Sequence, residues 1–398
     1  MNDLKIKQIP QNQRSDEINN SKSQYKTERI ENIIIGGGQA GLSIGYQLAK
    51  HKLPFLILDA GDRVGDSWRR RWDSLRLFTP ARYNGLTGMP FPGSPNAFPT
   101  KDEMGDFLEY YASYFKLPVR NKVRVDHLSK KGDWFIIKAG QHHFEAKNVV
   151  VAMANYQKPR IPSFASDLRA DINQFHSIDY RNPSQLQEGE VLIVGAGNSG
   201  SEIGMDIART HRIWMSGRDT GYIPFRINTR IAKLFLVPLV LRILFHRLMT
   251  INTWIGQKMR ESMLTMGGPL IRVKPKDMVK AGIERVPRVK GVINGLPILE
   301  DGRILKVKNV IWCTGFHPGF SWIDLPVLGE KEPFHERGIV SREPGLYFLG
   351  LHFLYAASSS MVQGVERDAK YIVKNIITRS SERSIKEENK LTRSVELH

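Results

Sequence analysis

The stretch VLIVGAGNSGSEI, residues 191–203, decides the fold, because IIIGGGQAGL at residues 33–42 has already presented the same signature once. In each, an apolar run that suits a buried strand meets glycines spaced Gly-x-Gly-x-x-Gly, and a segment with helical periodicity follows. The first set is Gly36, Gly38 and Gly41; the second is Gly195, Gly197 and Gly200. Each glycine has its own mechanical task. The first allows a tight turn, the second lets a pyrophosphate approach the backbone, and the third lets helix and strand pack closely. The phosphates then rest at the helix N-terminus, where unpaired N–H groups and the helix dipole favour negative charge. Gln39 and Ala40 complete the first loop, Asn198 and Ser199 the second. Two such units predict an α/β protein with two Rossmann-like dinucleotide-binding domains.

Working outward, each loop has a second apolar strand. FLILD ends in Asp59 and RIWMS leads to Arg218, and these two residues stand at equal offsets in sequence from Gly36 and Gly195. A carboxylate at that point accepts hydrogen bonds from a free ribose diol and repels a 2′-phosphate. Arginine does the reverse, offering a forked and permanently charged donor, with Ser216 two residues earlier as a further donor. The second loop therefore predicts NADPH; the plain alternative for Arg218 is a solvated residue at a strand end. Two later apolar runs end in glycine: KNVIWCTG at Gly315 and GLYFLG at Gly350. Strands that return after a second nucleotide unit suggest an FAD domain over 29–158 and 308–378, with an NADP domain over 159–307 inserted into it. A helix near SMVQGVERDAKYIVKNII would close the FAD domain.

Composition agrees with two cores, since the chain has 398 residues and 41% of them are hydrophobic. No run of eighteen apolar residues exists, and the segment 1–28 is polar, without the apolar core of a secretory signal. It reads as a disordered tail, and 379–398 as a loose charged one, in a cytoplasmic protein. Cys313 is the single cysteine, so no dithiol pair is available and redox work needs a bound cofactor. No histidine or carboxylate cluster has metal spacing, and no Gly-x-Ser-x-Gly elbow suggests acyl transfer.

Several motifs in order carry a family resemblance: GGGQAGL, GDSW with Trp68, the long segment from RWDSLRLFTPARYNGLTGMP to FLEYYASYF, VLIVGAGNSGSEI, and WCTGF at 312–316. Together the chain resembles a class B flavin-containing monooxygenase, and the long segment is similar to the YUCCA-like branch. The resemblance implies that NADPH reduces FAD, that the reduced flavin captures dioxygen as a C4a-(hydro)peroxide, and that this adduct oxygenates a small organic substrate. It also implies that Ser67 and Trp68 lie against FAD, that Thr79 and Pro80 approach the isoalloxazine, and that Asn198, Ser199 and Gly200 lie where nicotinamide and flavin meet. No catalytic side chain is assigned.

The sequence departs from the family at three places. Pro80 stands where animal members have asparagine, as in the YUCCA-like branch. The Phe-x-Gly-x-x-x-His signature has Ala170 and Ile172 in place of the phenylalanine and glycine, with His176 retained. The first Ala-Thr-Gly hinge reads VVVAMAN, with Ala154 in the glycine position. His176 has two readings, an inter-domain or NADP contact and a loop histidine that satisfies local hydrogen bonds.

One stretch lies outside the resemblance. Residues 220–290 hold fourteen Lys and Arg against Glu261, Asp277 and Glu284, an excess of +11 within the chain's +18. Inside it, IAKLFLVPLVLRILFHRLMT is apolar on nearly every side, and Pro238 should break it into two short helices. Two readings follow for the insertion, set at about 222–270: peripheral membrane contact through 226–260, or a buried helical cover over the substrate pocket, at a homodimer contact. Interleaved aliphatic residues argue against nucleic acid. Two further functions compete with oxygenation: an NADPH oxidase or reductase serving a quinone or protein acceptor, and a non-catalytic NADPH sensor at a membrane surface regulating a transporter.

Overall fold

The computed structural model describes residues 26–266, 268–330 and 332–395. Its two larger sheets share a plan around their glycine loops. In the first, the strands run in the order Val119–Arg120, Phe55–Leu58, Thr27–Ile35, His142–Val151, Trp134–Ala139, His127–Lys131. The ten-residue strand His142–Val151 is parallel to Thr27–Ile35; its first half pairs antiparallel with Trp134–Ala139, and its last residues take Leu346–Phe348 as a parallel neighbour. Ile33, Ile34, Val149 and Val150 are fully buried. Coverage on both faces explains why these strands read as unbroken apolar runs.

The second sheet is wholly parallel, in the order Ile283–Val286, Ile213–Ser216, Val191–Val194, Asn309–Trp312, Asn173–His176. In both sheets the strand before the glycine loop has the next strand of the chain on one side and a much later strand on the other. The order reverses beside that strand, and such a switch point opens a crevice at the carboxyl ends of the strands.

Three expectations about organisation change. The run at 308–315 reads in sequence as part of the first domain, but Asn309–Trp312 pairs with Val191–Val194 and Asn173–His176 in the second. A short apolar strand ending in glycine suits either sheet, and pairing alone decides. The charged segment expected to be loose instead continues the closing helix, Val365–Val395, which packs on Gln39–Lys50. Arg379 donates to the Lys147 carbonyl and the Asn148 side chain, and Arg383 pairs with Glu31, so tertiary anchors hold the helix where composition suggested none. At the other end, the sequence predicts a tail over 1–28, but Thr27 and Glu28 already belong to the first strand, and Glu28 pairs with Arg120 at 2.6 Å; residues 1–25 of that tail lie outside the described residues.

The apolar insertion also differs. Ala232–Leu236 and Leu239–Leu248 wind as a π-helix, and Pro238 keeps helical angles (φ −56°, ψ −43°) instead of breaking the chain. With more than four residues per turn, the buried line is Ala232, Val237 and Leu241, at spacings of five and four. Leu234, Leu239, Ile243 and Leu248 are exposed. One line of the helix is buried, and Leu236, Leu244 and Phe245 are half-buried in clusters with Tyr83 and Phe353, so the insertion is covered on one side and open to solvent on the other.

Candidate functional site

The two glycine loops agree bond for bond. Gly36 N–H donates to the Leu58 carbonyl at 2.8 Å, and Gly195 N–H to the Ser216 carbonyl at 2.7 Å. Across the switch point, Ala152 N–H donates to the Ile35 carbonyl at 2.8 Å and Cys313 N–H to the Val194 carbonyl at 2.7 Å. The first glycines have φ of +110° and +116°, a left-handed turn that favours glycine. A Cβ on Gly41 would collide with the Gly36 carbonyl, and one on Gly200 with the Gly195 carbonyl. One on Gly38 or Gly197 would meet nothing within 4 Å. The middle glycine thus faces the room that a pyrophosphate needs. Helices Gln39–Lys50 and Asn198–Ile207 begin there without a side-chain cap, so their first N–H groups remain available to an anion. Both loops therefore fit a dinucleotide.

They diverge at the ribose edge. Asp59 accepts from Gly37 N–H at 2.5 Å and from Gly61 N–H at 2.8 Å, which fixes its carboxylate at the mouth of the first loop. Leu58 and Ser216 occupy the same rung of the two ladders, so the counterpart of Asp59 is Gly217 and not Arg218. Equal spacing in sequence misled by one residue, because the path from loop to second strand is one residue shorter in the second unit. Gly217 has φ +144°, and a Cβ there would meet Ala196 N at 2.8 Å. The second loop consequently has no side chain where the first has a carboxylate, and exposed Arg218 follows it directly. Arg285 brings a second guanidinium to this edge, donating to the Gly217 carbonyl at 2.7 Å; its sequence position carried no signal. Ser216 is not free to serve as the further donor. It is buried, donating to the Pro287 carbonyl and accepting from Val289 N–H, each at 3.0 Å.

Around the first loop, the indole N–H of Trp68 donates to Gln39 at 3.3 Å, and a Cβ on Gly350 (φ +82°) would lie 3.0 Å from that of Ala40. Gln39, Ala40, Trp68 and Gly350 are thus gathered at one helix N-terminus, while Ser67 is exposed beside them. Thr79 and Pro80 lie on a separate segment. Fully buried Asn84 sets its shape: the Thr79 hydroxyl donates to Asn84 Oδ1 at 2.5 Å, and Asn84 Nδ2 donates to the Thr79 carbonyl at 2.9 Å. Arg272 connects this segment to the second unit, donating to the carbonyls of Arg76 and Leu77 and pairing with Glu202 at 3.1 Å. Asn198, expected at the nicotinamide, uses both ends of its amide on Pro269 O and Ile271 N–H, each at 2.9 Å, and so clips the end of the insertion over the second loop. Ser199 is half-buried beside it.

Two crossings join the units, and their strands Lys158–Pro159 and Phe316–His317 pair antiparallel. Ala154 and Gly315, each two residues beyond the matching ladder bond, have φ of +56° and +81°. His176 is 1% exposed, with Nε2 3.0 Å from the Gly315 carbonyl and Nδ1 accepting from Ile178 N–H at 3.3 Å. That pattern assigns the Nε2–H tautomer. Burial holds its pKa below the ordinary histidine value against the opposing pull of the carbonyl, so the ring is a neutral brace for the crossing. Tyr156, 43% exposed, packs edge-on against Phe316 as His176 does, and bonds through its hydroxyl to His352 Nε2 at 3.1 Å, while His352 Nδ1 lies 3.2 Å from the Ser360 hydroxyl. Burial holds the His352 pKa below the ordinary histidine value. This chain can hold or pass a proton, and no motif announced it. Burial pushes the Cys313 thiol up to about 12, so it is no nucleophile at neutral pH.

Residues 33–232 match the family described as pyridine nucleotide-disulphide oxidoreductase. An uncharacterized CzcO-like oxidoreductase of Geobacillus kaustophilus is 37% identical over 87% of this chain and 98% of its own length. A probable indole-3-pyruvate monooxygenase of Arabidopsis thaliana, YUCCA7, is 28% identical over 80% of this chain and 82% of its own. Among solved structures, a mutant flavin monooxygenase from Stenotrophomonas maltophilia superposes with a TM-score of 0.73 at 25% identity, covering 89% of this chain and all of that one.

Proposed function

We propose, from the premise that this chain belongs to the class B flavin-monooxygenase-like family, that it holds FAD in its first cradle and NADPH in its second, and uses them to insert one atom of dioxygen into a small organic substrate. The observation that carries the reading is the pair of matched cradles with opposite ribose edges: Asp59 at one, Gly217 with Arg218 and Arg285 at the other. Asp59 suits a free diol, and the two guanidiniums suit a 2′-phosphate.

When bound, FAD supplies the two-electron and dioxygen chemistry that no side chain here can supply. The protein's part is binding, orientation and water exclusion. Gly38 and Gly197 leave room for the two pyrophosphates, and the helix N-termini beside them neutralise charge. Gln39, Ala40, Trp68 and Gly350 enclose the start of the first helix. Asn84 holds Thr79 and Pro80 in one shape, and Asn198 keeps the end of the insertion over the second cradle. Tyr156, His352 and Ser360 form a hydrogen-bonded chain that would hold a proton beside the crossing. The lone, neutral thiol of Cys313 argues against a dithiol reductase on the same fold.

The deciding experiment feeds NADPH and ¹⁸O-labelled dioxygen to the flavin-loaded enzyme with panels of sulfides, amines, ketones and 2-oxo acids. A product carrying one labelled oxygen per NADPH consumed supports the reading. Quantitative hydrogen peroxide, or reduction of an added quinone with no labelled product across the panel, would replace it with the oxidase or reductase alternative.

A further inference from the structure

We propose that the face formed by residues 230–258 docks the protein onto an anionic lipid bilayer. Within the π-wound run, Ile231, Leu234, Phe235, Leu239, Ile243 and Leu248 all face solvent, and Trp254 stands at the head of the following helix. Phe235 is 68% exposed and Trp254 74%. Large apolar side chains this open occur singly on most soluble surfaces, whereas here they are contiguous along one element.

Charge identifies the occupant. Arg230, Arg242, Arg247 and Lys258 are exposed among these apolar residues, and no aspartate or glutamate occurs from residue 220 to residue 260. A second copy of the chain meeting this face symmetrically would set arginine against arginine, with no acid within 230–258 to pair them. A bilayer with anionic headgroups offers phosphates to the guanidiniums, an acyl boundary to the aliphatic residues, and the interfacial zone that tryptophan favours. No helix among the described residues is long and apolar enough to cross a membrane, so the contact lies in the plane of the interface.

The face is held firmly. Ala232, Val237 and Leu241 anchor its inner line, Arg82 donates to the Lys233 carbonyl at 2.6 Å, and Arg367 donates to the His246 carbonyl at 2.6 Å. His246 also bonds the Ser358 hydroxyl at 3.0 Å. The exposed apolar residues are therefore presented by the folded body, with little ordering left to be done on contact.

The test is flotation of the flavin-loaded protein with phosphatidylcholine vesicles with and without phosphatidylglycerol, at low and high salt. Wild type should float with the anionic vesicles at low salt and much less with the neutral ones. Phe235→Glu with Trp254→Glu should lower partitioning at least about tenfold, and Arg242→Glu with Arg247→Glu by a similar factor. Thermal midpoint and flavin content of both variants should match wild type, which separates loss of contact from loss of fold. Failure of wild type to float with anionic vesicles would overturn the proposal, as would flotation that survives both pairs of substitutions. A wild-type dimer that Phe235→Glu dissociates, without flotation, would assign the face to a second copy.

Discussion

The two nucleotide cradles are nearly the same object built twice, and their differences are more instructive than their likeness. The backbone hydrogen bonds made by the first glycine and across the switch point have matching partners in both cradles and nearly equal lengths, and the third glycine in each is pressed against a carbonyl. They part at two points. At the ribose edge, the position held by Asp59 in the first unit is Gly217 in the second; at the crossing, the position held by Ala154 is Gly315. The shared parts are those that any pyrophosphate demands. Both divergent positions lie where a nucleotide's identity, or the relative movement of the units, can be set without disturbing the loop.

The harshest way to break the symmetry is to fill the third glycine. Gly41→Val drives a side chain into the Gly36 carbonyl and should cost at least about 3 kcal/mol, with flavin lost on gel filtration. Gly200→Val should spare the flavin and abolish NADPH oxidation; equal flavin loss in both variants would mean that the cradles are not separable.

Next in size is the ribose edge. Arg218→Ala should raise the KM for NADPH about 10- to 100-fold through loss of a charge-assisted hydrogen bond, with little change for NADH. Arg285→Ala should follow the same pattern less strongly, because its guanidinium remains partly engaged by the Gly217 carbonyl. If both cofactors weaken equally, the phosphate assignment fails.

The crossing gives the subtler tests. His176 is buried neutral with a lowered pKa, so the unfolded chain takes up a proton before the folded one does. Its contribution is fully present above the ordinary histidine value of about 6.5 and is lost as pH falls below it toward the lowered folded value. A thermal-melt series from about pH 7.5 to pH 5 should therefore slope less for His176→Gln than for wild type. The smallest change is Ala154→Gly. A left-handed alanine is strained, and relief should outweigh the added chain entropy by about 0.5–1 kcal/mol, raising the melting midpoint by roughly 1 °C. A lower midpoint would show that Ala154 is supported by contacts its backbone angle does not reveal.

Much of this was legible in the residues. Both loops, with their strands and helices, follow from runs of contiguous sequence, and the structure forms each as strand, turn and helix. The placement of 309–312 in the wrong sheet had a different origin: Val310 and Ile311 are apolar enough for either sheet, and their partners lie far away in the chain at Val191–Val194 and Asn173–His176. Ser216 looked available because nothing adjacent to it in sequence occupies its hydroxyl. The groups that occupy its hydroxyl come from Pro287 and Val289, distant in sequence.

Sequence alone determined that this chain makes two dinucleotide cradles, since a glycine's missing Cβ acts on the backbone beside it and needs no distant partner to be read. Which residue faces each ribose, which sheet receives the returning strand, and which side of the insertion meets water were decided only in the tertiary structure. Each depends on register and burial, and those arise when segments far apart in the chain compete for the same space.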